Sequence, residues 1–263
     1  LVDYLAQPLD VVVATGQTLT LNFDGAQGEL VKVSGDLRLN VYNFFYIEGS
    51  LAFEKYTTKV KLSDDDQTLV DVDLLALGGA GIDAFLGMNG GTDDALGFNL
   101  SDVGYALALL SEKTDNAPRQ WITLQASVGS ISAPANDWLN IAGQSLSVEI
   151  NLAASDDTLV DYAAQNLVVT TGPGQTYTFT MDGGLGELVR ASGEISLSVA
   201  DFFNIEGGFA FEKSSRELKL AGDVDVTSVD LITLGANNVS AFAGLNGGTP
   251  ESVGLSLGGV GFA

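Results

Sequence analysis

Carboxylate pairs are the residues of this sequence best placed to do chemistry: Asp64-Asp65-Asp66, Asp71 with Asp73, Asp93-Asp94, Asp156-Asp157 and Asp223 with Asp225. Hard oxygens clustered on turns suit calcium, which takes about six to eight oxygen ligands. Asp64, Asp65, Asp66, Asp223 and Asp225 are therefore the candidate metal ligands. None of these runs has the spacing of an EF-hand loop, and Gly90-Gly91-Thr92-Asp93-Asp94 is only a fragment of a nonapeptide calcium repeat, so solvated turns are the competing reading. Glycoside hydrolysis needs two carboxylates held across a sugar cleft. Nothing singles out such a pair, and Trp121 and Trp138 read as core or sheet-face residues. With no His and no Cys, His-based triads, thiol nucleophiles, structural zinc sites and disulfides are all absent. Gly78-Gly79-Ala80-Gly81 precedes neither a helix pattern nor a Lys, which leaves no phosphate cradle. The chain reads as non-enzymatic and without a cofactor, calcium alone being left open.

Composition narrows the partners. Eleven Lys and Arg against 34 Asp and Glu give a net charge of −23, which repels nucleic acid and anionic membrane surfaces. A hydrophobic share of 46% against 17% charged is enough for a large core, and 32 Gly with only 5 Pro suit many tight turns between strands. No apolar run reaches the roughly 18 to 20 residues of a membrane-spanning helix, so membrane insertion is not expected.

The elements that carry these residues repeat. Leu1-Val2-Asp3-Tyr4 returns as Leu159-Val160-Asp161-Tyr162, and Phe44-Phe45-Tyr46-Ile47-Glu48-Gly49 as Phe202-Phe203-Asn204-Ile205-Glu206-Gly207, both at an offset of 158. After a deletion near Asp223 the offset is 157, matching Ala84-Phe85-Leu86-Gly87 to Ala241-Phe242-Ala243-Gly244; here Pro250-Glu251 replaces Asp93-Asp94. The domains are read as 1–158, a first complete β unit, and 159–263, a second and truncated one. Ala263 matches Ala106 inside an apolar run, so the sequence is read as a window on a longer array, with a two-lobed protein as the alternative. A weaker internal echo relates Asn43-Phe44-Phe45-Tyr46-Ile47-Glu48-Gly49 to Asp137-Trp138-Leu139-Asn140-Ile141-Ala142-Gly143.

The periodicity is two. Val31, Val33, Leu37, Leu39, Val41, Phe45, Ile47, Leu51 and Phe53 share one parity, with Lys32, Asp36, Arg38, Glu48 and Glu54 on the other. A straight strand of that length would run to roughly 75 Å, so a corner is expected at Asn43-Phe44-Phe45, flanked by Gly35 and Gly49. Phe44, Phe45, Phe85, Trp138, Phe202, Phe203 and Phe242 are the expected bend residues. The polar run at 63–67 is a turn, predicting antiparallel pairing of its flanks with Phe44 opposite Phe85 and Phe53 opposite Ala76. The fold expected is all-β, an elongated repeat of long bent antiparallel strands in an open-ended sandwich, with the odd-parity residues between its two sheets; a parallel β-solenoid is the alternative. Glu54-Lys55 and Glu212-Lys213 read as charges that keep an outer face soluble.

The unit Gly-x-Leu-x-Leu-x-Val-x-Asn-Phe-Phe-x-Ile-x-Gly-x-Leu-Ala-Phe-Glu-Lys, residues 35–55, returning with some substitutions at 193–213, resembles the repeats of very large, acidic bacterial surface or secreted proteins. The resemblance implies extracellular fibres, adhesins or matrix components. The expected function is thus a structural filament or stalk at the cell surface, cohering by strand pairing between successive units. Its partners would be further copies of the repeat, in the same longer chain or in neighbouring chains. A calcium-dependent adhesin module and an apolar-groove lipid carrier are the alternatives.

Overall fold

The computed structural model describes residues 1–41, 44–63, 68–90, 92, 95–114, 116–133, 138–200, 202–222 and 224–263. The fold is all-β, with no α-helix among the described residues. A hairpin of β1 (Leu9–Ala14) and β2 (Gln17–Leu21) precedes a meander of β3 (Val31–Val41), β4 (Phe45–Lys61), β5 (Leu69–Met88), β6 (Leu96–Glu112), β7 (Gln120–Ser132) and β8 (Leu139–Leu152). A second hairpin, β9 (Leu167–Gly172) with β10 (Gln175–Phe179), interrupts the meander before β11 (Leu188–Val199), β12 (Phe203–Lys219), β13 (Val226–Leu245) and β14 (Val253–Phe262). The meander strands form one ten-stranded open sheet in the order β14-β13-β12-β11-β8-β7-β6-β5-β4-β3. All its ladders are antiparallel, which removes the parallel solenoid.

Elements and registers recur with the sequence. Val31 pairs with Lys55 as Val189 does with Lys213, and Phe45 pairs with Leu86 as Phe203 does with Ala243. Backbone conformation repeats even where residues differ: Gly81 and Asn238 occupy matching left-handed positions, as do Asp102 and Gly259. Both pairs sit where the ladders shift register, at bulges that kink the strands.

Several sequence expectations change. Of the expected corner Asn43-Phe44-Phe45, Asn43 lies outside the described residues, and Phe44 and Phe45 do not form a corner in one continuing strand. Val41 pairs with Phe45, so the chain reverses there in a hairpin, and Val199 with Phe203 does the same. Three residues lie between each pair, so apolar parity runs unbroken through the reversal and imitates a single long strand. Phe44 and Phe202 lie exposed at the hairpin tips, Phe45 and Phe203 open β4 and β12, and Trp138 is exposed just before β8. Phe85 is buried within β5; the Phe242 ring lies over the cross-strand pair Gly244 and Gly254. The irregularities of the ladders lie at the glycine-rich bulges instead.

Register also differs. Tyr46, not Phe44, faces Phe85, and Phe53 faces Leu77 rather than Ala76. The ladder already starts one step off the count from the turn at 63–67, with Lys61 on Leu69, which puts Phe53 on Leu77; the bulge between Glu48 and Ser50 then adds a second step and brings Tyr46 to Phe85.

The second layer is not another sheet of bent strands. It is the β9–β10 hairpin with its flanking segments, laid over β4, β5 and β6. Under it lie Val60, Leu62, Val72, Leu74, Ala76, Ala106, Ala108, Leu110 and Trp121, packed against Val160, Tyr162, Leu167, Val169, Phe179 and Met181. In β4 and β5 this core face is the even-parity one. The odd-parity residues expected inside form the opposite face, where Val33, Phe53, Leu77, Leu107, Leu124, Ile150 and Val189 align across seven strands. Val33 is 62% exposed and Leu77 36%.

Candidate functional site

The most elaborately built place in the molecule is the joint where residues 153–186 cross from β8 onto the sheet of the first repeat. Its backbone is fixed first. Leu62 forms an isolated antiparallel bridge with Val160; Ser63 N donates to Leu159 O at 2.8 Å, and Asp161 N to Lys61 O at 2.8 Å. Side chains then pair several of the polar groups that the joint buries, though the buried Gln165 Oε1 has no partner among the described residues. Trp121 Nε1 donates to Thr158 O at 2.9 Å and Asn151 Nδ2 to Val160 O at 3.0 Å. The fully buried Tyr162 shares a hydrogen bond of 2.7 Å with Thr123 Oγ1, and burial pushes its phenol pKa up. Its ring packs 5.2 Å from that of Phe179. Such satisfaction matters because each unpaired buried polar group costs about 1 to 3 kcal/mol.

The centre of the contact is charged. Glu54 is buried; its Oε2 accepts from Thr170 N at 2.9 Å and its Oε1 from Thr170 Oγ1 at 2.6 Å, and Lys32 Nζ stands 2.6 Å from the same Oε1. Lys32 also donates to Thr170 Oγ1 at 2.7 Å. Burial alone would raise the Glu54 carboxyl pKa, but the bonds from Lys32 and Thr170 outweigh it and hold the group below its ordinary value. Glu54 is thus no solubilising charge of an outer face. Beside it, Gly78 lets the lid backbone come down onto β5: a Cβ there would overlap the Thr170 carbonyl oxygen and lie 2.8 Å from Thr171 Cα.

Arg119 clasps the other end. It grips Glu112 with two bonds of 2.8 Å, reaches Asp156 at 3.2 Å, and lies 5.4 Å from the Trp121 ring centroid. Asp156 also accepts from Thr158 N and Oγ1, so this carboxylate organises the turn into the joint. Asp71 pairs with Lys59 at 2.7 Å, and Asp73 accepts from Thr57 Oγ1 at 2.9 Å. These are cross-strand ties. Of the calcium candidates, Asp64, Asp65, Asp66 and Asp223 lie outside the described residues, and Asp225 is exposed just before β13. No cluster of three or more acidic side chains able to hold a metal occurs among the described residues. An open cleft along the bulge line has a wall of mixed polarity, with Gln144, Glu194, Glu206, Asn237 and Asn238 beside Ala142 and Ile195.

Sequence reasoning missed the joint. Its contacts to β3 and β4 join residues more than 90 positions apart, and the legible traces were the recurrence of Leu1-Val2-Asp3-Tyr4 as Leu159-Val160-Asp161-Tyr162 and of Glu54 and Gly78 as Glu212 and Gly235. Compared with protein-family models, curated proteins and solved structures, the chain matches none.

Proposed function

We propose that this protein is a structural module of an extracellular, filament- or stalk-forming repeat protein, without catalytic activity, in which each repeat completes its neighbour. The observation that carries the reading is the ladder between β8 and β11. From Leu139↔Val199 to Asn151↔Leu188 it joins the two repeats edge to edge, so one sheet runs through both without a linker. The edge that a lone repeat would expose is used as the seam. The hairpin of the second repeat then covers the core face of the first, adding apolar burial to the backbone ladder. Arg190 sits on the seam, bonded to Glu149 of β8 and Glu212 of β12 at 2.8 and 3.0 Å. The high net negative charge, which repels polyanions, and the absence of His and Cys side chains for acid–base or thiol chemistry fit a mechanically passive role.

Scanning calorimetry of the full chain tests the coupling. A shared sheet and core give one cooperative transition, with calorimetric and van't Hoff enthalpies in agreement. Two separated transitions, one per repeat, would contradict it.

A further inference from the structure

We infer that a second copy of this chain docks head to tail, its β1–β2 hairpin seating on the β11–β13 face as β9–β10 seats on β3–β6. This rests on the structural reading above and specifies its contact surface.

The donor surface is preformed. Asp3 Oδ1 accepts from Leu5 N, Ala6 N and Gly25 N, as Asp161 Oδ1 accepts from Ala163 N, Ala164 N and Gly183 N. Leu5 N donates to Phe23 O at 2.9 Å, the counterpart of Ala163 N to Met181 O at 3.1 Å. The first hairpin therefore holds the shape of the second without a sheet beneath it. Its contact residues stand open: Val2 is 64% exposed where Val160 is fully buried, and Leu9 46% where Leu167 is 7%.

The acceptor surface carries part of the same pattern. Leu218 and Leu220, 40% and 46% exposed, match Val60 and Leu62, which lie under the lid. Gly235 matches Gly78, yet a Cβ at 235 would meet nothing nearer than Phe262 O at 3.8 Å. Glycine inside a strand lowers stability by about 0.5 to 1 kcal/mol relative to Ala, and here no neighbour in the chain requires it. A descending hairpin backbone would. The charges agree as well. Glu212, the counterpart of Glu54, is held by Arg216 at 2.7 Å, Ser214 at 2.8 Å and Arg190 at 3.0 Å, so it needs no hydroxyl from a lid. The hairpin residue that would face it is Val12, where the lid over Glu54 carries Thr170.

The exposed area leaves room for such a contact. The chain exposes 15811 Å². A compact monomer of 27.3 kDa would expose about 10,900 Å². The excess is roughly three times the total of about 1,600 Å² that a stable interface buries.

Sedimentation of the full chain over micromolar concentrations tests this with two variants at exposed positions, V2D/V11D on the donor and L218D/L220D on the acceptor. The wild type should form a concentration-dependent series of oligomers. Each variant should weaken self-association by about tenfold per substituted residue. An equimolar mixture of the two should stop at a heterodimer, because each retains one intact surface. Gly235→Val, whose added side chain has open space in the monomer, should weaken association without lowering the melting temperature. A wild type that stays monomeric, association in either variant as strong as in the wild type, or a mixture that does not dimerise would overturn the proposal. None of these would disturb the single calorimetric transition that tests the joint within one chain.

Discussion

The hairpins β1–β2 and β9–β10 are built from matching residues, close with the same Asp-centred turn, and differ in what lies beneath them. Val11 is 38% exposed and Val169 is fully buried; every residue of β1 is open, while four of the six in β9 are in the interior besides Leu167. A hairpin of six- and five-residue strands is marginal in isolation. Its stability comes from the sheet it covers, so the comparison separates what a repeat contributes to itself from what it contributes to its neighbour.

Substitutions at matching positions sharpen that contrast. Tyr162→Ala removes a fully buried ring and its bond to Thr123, and should lower stability by about 3 to 5 kcal/mol in denaturant titration. Tyr4→Ala, at the position without a sheet below, should cost under about 1 kcal/mol. Gly78→Val drives a side chain into the Thr170 carbonyl and should cost about 3 kcal/mol, whereas Gly235→Val in the dilute chain should change stability by less than about 1 kcal/mol. Equal losses at both members of either pair would remove the distinction.

Glu54 gives a pH dependence of defined sign. Its folded-state pKa lies below the ordinary 4.5, so its stabilisation is present in full above that value and is lost as pH falls through the depressed one. Glu54→Gln should cost about 1 to 3 kcal/mol near neutrality, and the gap between variant and wild type should close as the medium is acidified below about pH 4. Glu212, held down to about 2 mainly by Arg216 and then Ser214, keeps its charge to lower pH. Thr170→Val removes one hydroxyl bond to Glu54 and should cost about 1 kcal/mol, while Val12→Thr should leave the dilute chain unchanged.

Much of the fold was legible because it is local. Alternation in 31–53, the antiparallel return of β5 along β4 and the 158-residue echo follow from residues close in sequence or identical at a distance. The buried face was not legible. Val31, Val33, Leu37, Leu39 and Val41 make the odd face the more apolar one, yet the lid settles on the face carrying Lys32, Glu54, Tyr56 and Val60. What decides is the partner that arrives from residues 159–181 with Thr170, Tyr162 and Phe179, and parity within one strand carries no information about it. Glu54 looked solvent-facing for the same reason: its bonds come from a strand and a hairpin whose approach only the folded chain defines.

Hydrogen exchange of the full chain in dilute solution, followed by mass spectrometry, tests the central claim most directly, because it reads both hairpins in one experiment. Amides of β9–β10 should exchange as slowly as those of β4 and β5, while those of β1–β2 exchange on the scale of local fraying. Equal protection of the two hairpins, or fast exchange in β9–β10 while β4 and β5 stay protected, would contradict the account.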